Sequence, residues 1–144
     1  MFQPGLYVVI FGFLLNFAWE MFQMPLFTGM LEKRYSEATL ICLKATAADV
    51  AIAMAAFWVV ALLSQTRRWA MAVRLKHVVQ FSAVAFVLAM LAEMVGTNLL
   101  HSYSYDSRMP LVPLLHVGLA PFLQWVFLPP VIVWLVYRQA TSKG

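Results

Sequence analysis

The sequence predicts an all-α integral membrane protein, an antiparallel four-helix bundle with both termini on the inner side (N-in/C-in). Three observations carry that reading. The 144 residues are 63% hydrophobic and only 11% charged, with a mean hydropathy of +0.81, whereas a soluble domain carries roughly 25% charged residues. The apolar residues fall into four stretches, each with about the 20 residues needed to cross a bilayer core of ~30 Å. The basic residues gather between those stretches. A formal charge of +4 therefore reads as a topology signal and not as a stripe for nucleic acid, and no nucleic-acid partner is expected.

The first span covers about residues 5–27, and Pro25 marks its end. Residues 1–5 carry no Lys or Arg, so this span reads as a retained helix and not as a cleaved signal peptide. The second span covers about residues 38–63, the third 78–100 and the fourth 111–137. Pro110 and Pro113 should force an extended lead into the fourth span. Pro121 should kink that helix and free a carbonyl, and Pro129 and Pro130 should distort it further along. The loops are short, so neighbours should pack antiparallel in a single domain, residues 1–144. Ala47, Ala51 and Ala55 on the second span, and Ala85, Ala89, Ala92 and Gly96 on the third, have the spacing that lets helix backbones approach closely in lipid.

Arg67, Arg68, Arg74 and Lys76 between the second and third spans, with Arg138 and Lys143 in the tail, put six basic residues on one side. Lys33, Arg34 and Arg108 face them, partly offset by Glu32, Glu37 and Asp106. The excess places the first group inside and points to a multi-pass protein of a bacterial inner membrane. Trp58, Trp69 and Trp134 fall at the inner boundary and Tyr35, Tyr103 and Tyr105 at the outer one, as aromatic belts. His77 reads as an inner interface residue. Cys42 is the single cysteine, so no intrachain disulfide and no CxxC motif exist.

Four polar side chains stand inside these spans: Glu20, Asp49, Glu93 and His116, one on each predicted helix. A charge at the bilayer centre costs at least about 2.5–3.5 kcal/mol, so such residues persist where they face a bundle interior and find partners. Asn16, Glu20 and Gln23 recur at i, i+4 and i+7 on one helix face. Taken with the orientation, they share the outer half of the bilayer with Lys44, Thr46 and Asp49, with Glu93, Thr97 and His101, and with His116 and Gln124. Polar groups from four segments at one depth imply a shared site. The alternative is interhelical hydrogen bonding alone, at about 0.6–2 kcal/mol each. The irregular stretch from Tyr103 to Pro113 reads as a lid over that site.

The chemistry such a site suits is acid–base catalysis on a hydrophobic, isoprenoid- or lipid-like molecule reached through the bilayer: isomerisation, cyclisation or hydration. A buried protonated carboxyl donates to an alkene or epoxide, while an ionised neighbour accepts a proton elsewhere. Glu93 and Glu20 are the acid–base candidates, with Asp49 orienting or supplying counter-charge. Asn16, Trp19, Gln23, Thr97, His101, Tyr105, His116, Gln124 and Trp125 are the candidate substrate contacts. The π faces of Trp19 and Trp125 suit a transient carbocation. No cofactor and no metal is expected: no Glu-x-x-His motif occurs on any helix, although His101 and His116 at matching depth would suit a metal or haem.

Glu93, Gly96 and Thr97 followed by Tyr103, Tyr105 and Pro110 resemble a pattern in carotenoid hydratases, an acid, then glycine, then Tyr-x-Tyr. That resemblance implies proton donation by Glu93, although those enzymes are larger and have more spans. Leu91, Ala92, Glu93, Met94, Val95, Gly96 and Thr97 also look like the glutamate-bearing first helix of small multidrug resistance transporters. That resemblance implies proton exchange at Glu93 against a cationic substrate, with the departure that the helix here is third and not first. The remaining alternative is an accessory or assembly subunit. The expected partners are membrane lipid, a hydrophobic small molecule, and either a second copy of the chain or a larger membrane complex.

Overall fold

The structure, a computed structural model, describes residues 3–142. Residues 1, 2 and 144, and Lys143 of the charge balance, lie outside the described residues. Helix α1 runs Pro4–Gln23. Its proline sits in the first turn, where the missing N–H has no partner to lose. A 3₁₀ turn over Met24–Leu26 follows; Met24 keeps helical backbone, but Pro25 has no N–H with which to continue the α-helical ladder. Helix α2 spans Tyr35–Leu63 and begins with Glu37 in its first turn, where an acid favours the helix dipole. Helix α3 spans Leu75–Met94 and continues as a π-helical turn over Val95–Leu99. Helix α4 spans Leu119–Thr141.

The fourth span is where the expectation fails. Residues 111–118 are not helical. Leu111–Val112 (β1) pairs antiparallel with Val117–Gly118 (β2) in a small hairpin, closed by His116 N–H to the Val112 carbonyl at 2.9 Å. Pro110 and Pro113 explain it: neither has an N–H to give, and each biases the residue before it to extended backbone. As a result Pro121 lies in the first turn of α4, where it neither kinks the helix nor frees a carbonyl. Pro129 and Pro130 are the prolines inside α4.

Among the described residues four helices are long and apolar enough to cross a membrane: Pro4–Leu26, Tyr35–Leu63, Leu75–Leu99 and Leu119–Thr141, with mean hydropathies of 1.6, 2.0, 2.1 and 1.9. The chain is accordingly a multi-pass membrane protein by length and composition. α1 packs on α2 and α4, and α3 packs on the same two, so the helices form a ring of neighbours. Val8, Ala53, Phe57, Val60, Phe81, Ala85, Ile132 and Val136 fill the space between them. Outward faces carry Phe22, Leu62, Leu99 and Leu114, a surface that suits acyl chains and not water.

The small residues divide. Ala85 and Ala89 are buried, as expected, and Gly96 is buried against Tyr103. Ala47, Ala51, Ala55 and Ala92 face outward; α2 packs instead through Ala53, Ala56 and Val60. The face of α2 that packs inward carries Cys42, Thr46, Phe57 and Val60, which at about 100° per residue lie roughly 120–180° around the helix from Ala51 at the centre of the alanine stripe. Trp58 and Trp134 do face outward, with the guanidinium carbons of Arg67 and Arg138 over their rings at 4.8 and 5.4 Å. Trp69, expected beside them, is buried instead and donates from Nε1 to the Phe57 carbonyl at 3.3 Å. His77 is buried with it, rings 5.7 Å apart, its Nδ1 accepting the Arg74 N–H at 3.2 Å. An aromatic plug and a helix cap therefore replace part of the expected inner belt.

Candidate functional site

The stripe on α1 meets its counterparts. Asn16 is fully buried and anchors its amide by donating to the Gly12 carbonyl at 2.7 Å. Its Oδ1 accepts from Gln124 Nε2 on α4 at 2.8 Å, and the same Nε2 donates to Asp49 Oδ2 on α2 at 3.1 Å. Gln124 Oε1 accepts from Gln23 Nε2 at 3.3 Å, and Gln23 Nε2 also donates to Glu20 Oε1 at 2.8 Å. The Glu20 and Asp49 carboxyls are themselves hydrogen-bond neighbours. Three carboxamides from two helices thus hold two carboxyls from two helices. Around them, Cys42 Sγ lies 3.8 Å from the Glu20 carbonyl, and Trp19 Nε1 donates to the Ala120 carbonyl at 3.2 Å. Trp125 is buried on α4.

Glu93 on α3 lies within electrostatic reach of Glu20 and Asp49 but has its own partners. Tyr105 Oη donates to Glu93 Oε2 at 2.6 Å, and the Tyr103 hydroxyl is a second hydrogen-bond neighbour. Thr97 Oγ1 donates to the Glu93 backbone carbonyl at 2.7 Å. Both tyrosine hydroxyls are pushed well above their ordinary range, first by burial and then by the adjacent Glu93 charge. Two glycines admit these rings. A Cβ on Gly96 would meet Tyr103 Oη at 2.7 Å, and one on Gly118 would meet Tyr105 Cε1 at 3.0 Å.

The segment that carries the tyrosines is tied to the loop after α1. Phe27 and Tyr105 form a β-bridge. Thr28 N–H donates to the Ser104 carbonyl at 3.0 Å and Asp106 N–H to the Leu26 carbonyl at 2.9 Å. Arg108 donates through Nη2 to the Pro25 carbonyl at 3.1 Å and through Nε to Asp106 Oδ1 at 2.8 Å. That guanidinium holds the Asp106 carboxyl below the usual carboxylate range and is itself pushed up in return.

Asn16, Glu20, Gln23, Asp49 and Gln124 are thus brought together, with Trp19 and Trp125 alongside, and Glu93, Thr97 and Tyr105 form an adjoining group. The two histidines do not join them. His116, expected on the fourth helix, sits exposed in the hairpin turn, and His101 is exposed just after the π-helical turn. Both have left-handed backbone, φ 51° and 47°. Among the described residues neither makes a side-chain hydrogen bond, and no three His, Cys, Asp or Glu are grouped to hold a metal ion. Tyr103 is the partner the sequence did not single out for the site. Its distance in sequence from Glu93 carries no helical or strand periodicity that would bring it back.

Two apolar clefts lie elsewhere. One of about 420 Å³ sits between α1 and α2 near Gly5, Phe57 and Arg67, and one of about 460 Å³ runs along Val9, Phe13 and Ala47. Compared with protein families, with curated proteins and with solved structures, the chain has no match in any of the three.

Proposed function

We propose that the chain is an intramembrane acid–base enzyme acting on a hydrophobic, isoprenoid- or lipid-like substrate, built as an antiparallel N-in/C-in bundle in a bacterial inner membrane. The observation that supports it is the meeting of Glu20 and Asp49, held by Gln23, Gln124 and Asn16 with no cation against them. Among the described residues the ion pairs are Arg34 with Glu37 and Arg108 with Asp106, both outside the cluster. A purely structural polar cluster in lipid is satisfied by neutral hydrogen bonds. Two carboxyls side by side add the ability to lend one proton and take another.

In this reading one member of the pair, as its acid form, gives a proton to an alkene carbon. A C–H bond forms, the π bond breaks, and the substrate becomes a carbocation. The other member, as carboxylate, takes a proton from the adjacent carbon, and the double bond reforms in a new place. The proton then returns through the Glu20–Asp49 contact, so no co-reactant is consumed. Glu93, fixed by Tyr103 and Tyr105, supplies negative charge that stabilises the cation, with Trp19 and Trp125 beside it. This moves the acid–base roles from Glu93 with Glu20 to Glu20 with Asp49.

The test is solvent deuterium. Membranes containing the protein, incubated in D₂O with a lipid-soluble extract, should incorporate deuterium into at least one hydrophobic compound. Glu20→Gln and Asp49→Asn should abolish that incorporation while the proteins keep their unfolding temperature. No label from the wild-type protein, or label that survives both changes, would sink the reading. Proton-coupled uptake by proteoliposomes would assign transport instead, and copurification of a fixed partner with no activity alone would assign an accessory subunit.

A further inference from the structure

The hydrogen-bonding capacity of the carboxyl cluster is unbalanced toward acceptors. Glu20 and Asp49 face one another, Glu93 lies within electrostatic reach, and no Lys, Arg or His is paired with them among the described residues. Lys44, the nearest cation along α2, is exposed. A second, independent feature points the same way. Gln23 is only 4% exposed, yet its Oε1 has no hydrogen-bond partner. Its Nε2 is already committed to Glu20 and Gln124, at 2.8 and 3.3 Å. A buried acceptor left without a donor is destabilising, and native structures rarely keep one without a use. Access is also present. Glu20 and Asp49 both stay partly exposed, so a molecule approaching from outside the bundle can touch them.

We propose that this cluster binds a lipid-soluble amine in its protonated form, the N–H groups directed at Gln23 Oε1 and at the Glu20 and Asp49 carboxyls, and the hydrocarbon body left among apolar side chains and lipid. The inference deepens the catalytic reading and rests on it in one respect: a site that stabilises a carbocation also favours a fixed cation in the same place. An alcohol offers a donor without charge, and a quaternary ammonium offers charge without a donor. Three neighbouring carboxyls favour charge, and the unpartnered amide oxygen favours a donor. A protonated amine supplies both.

The experiment uses the full chain in an uncharged detergent at neutral pH, with dodecylamine, dodecyltrimethylammonium and dodecan-1-ol as probes in equilibrium binding. Dodecylamine should bind saturably, one molecule per chain, at least about tenfold tighter than either other probe. Gln23→Met should weaken dodecylamine by about tenfold and dodecyltrimethylammonium by clearly less. Glu20→Gln combined with Asp49→Asn should remove saturable binding of both cations. Equal affinity for the three probes, uptake that never saturates, or a Gln23→Met protein that binds dodecylamine as the wild type does would overturn the proposal. Should the double variant fail to fold, the probe series on the wild-type chain and the Gln23→Met comparison still decide. Saturable amine binding without deuterium incorporation would leave this inference standing and end the catalytic one. Deuterium incorporation that dodecylamine does not inhibit would do the reverse.

Discussion

The Tyr105 hydroxyl donates to Glu93 Oε2 at 2.6 Å from a segment that leaves α3 and folds back over it. The π-helical turn over Val95–Leu99 ends the helix, and the chain then returns within a few residues to set the Tyr105 phenol against a carboxylate on the helix it has just left. Hydrogen bonds to charged groups contribute about 1.5–3 kcal/mol. Tyr105→Phe should therefore lower unfolding free energy by about that amount and reduce deuterium incorporation more than it reduces stability. Chemical denaturation alongside the D₂O assay checks both. Unchanged turnover in a folded Tyr105→Phe protein would remove Glu93 and its tyrosines from the proposed mechanism.

The same tyrosines should set an alkaline limit. Burial and Glu93 push both hydroxyls up, so their folded values exceed the unfolded value of about 10. A group shifted in that direction contributes stability that is complete below the unfolded value and is lost as pH rises past it. The unfolding temperature should stay level up to about pH 10 and fall beyond it. The Tyr103→Phe, Tyr105→Phe double variant should fall less steeply. Parallel curves for the two proteins would place the alkaline transition elsewhere.

The Tyr103 ring lies over Gly96. A Cβ there would lie 2.7, 2.8 and 2.9 Å from three atoms of the phenol ring, closer than packed atoms allow. Gly96→Ala should displace Tyr103 and cost about 1–3 kcal/mol, as overpacking does. Tyr103→Ala should remove the clash, so the double variant should be less destabilised than the sum of the singles. A double-mutant cycle measures that coupling. Additive effects would mean that Tyr103 does not rest on Gly96.

How much of this was legible in the sequence depends on which force placed each residue. Long apolar runs are fixed by hydrophobic length alone, and the four helices fall within a few residues of where composition puts them, apart from the start of α4. The Asn16, Glu20, Gln23 stripe was legible because helical periodicity is local. Its meeting with Asp49 and Gln124 followed from the depth argument, which needs only chain direction. The hairpin over residues 111–118 was half legible: Pro110 and Pro113 announced extended backbone, but Leu111, Val112, Leu114 and Leu115 read as membrane helix and set the start of the span too early. The Ala47, Ala51, Ala55 stripe shows the opposite limit. Small residues permit close packing but do not demand it, and in α2 the polar face took the interior.

Gln124 joins α4 to α1 and α2. It is 1% exposed, and its amide bonds to Asn16, Asp49 and Gln23. Three interhelical bonds of about 0.6 kcal/mol each give roughly 2 kcal/mol. Gln124→Leu should cost at least that, because Asp49 and Gln23 each lose a partner as well. Gln124→Glu should keep the acceptor toward Gln23 and lose the donor toward Asp49 and Asn16. Unfolding in detergent measures both, and a neutral Gln124→Leu would show that the network adds nothing to stability.

Two histidines bracket the tyrosine segment. His101 and His116 are both exposed and both left-handed, at φ 47° and 51°. For a residue with a Cβ that conformation costs about 1–2 kcal/mol, whereas glycine adopts it freely but loses about 0.5–1 kcal/mol more conformational entropy on folding. The two effects leave a small net gain. His116→Gly should therefore be neutral to stabilising by up to about 1 kcal/mol. His116→Val should be destabilising, because a β-branched side chain fits that backbone poorly. A histidine that instead held a metal or a substrate would make glycine and valine equally damaging to activity, because both remove the imidazole. Comparing the two variants at each position thus separates a backbone role from a ligand role. Equal losses of activity at unchanged stability would restore the histidines to the candidate site.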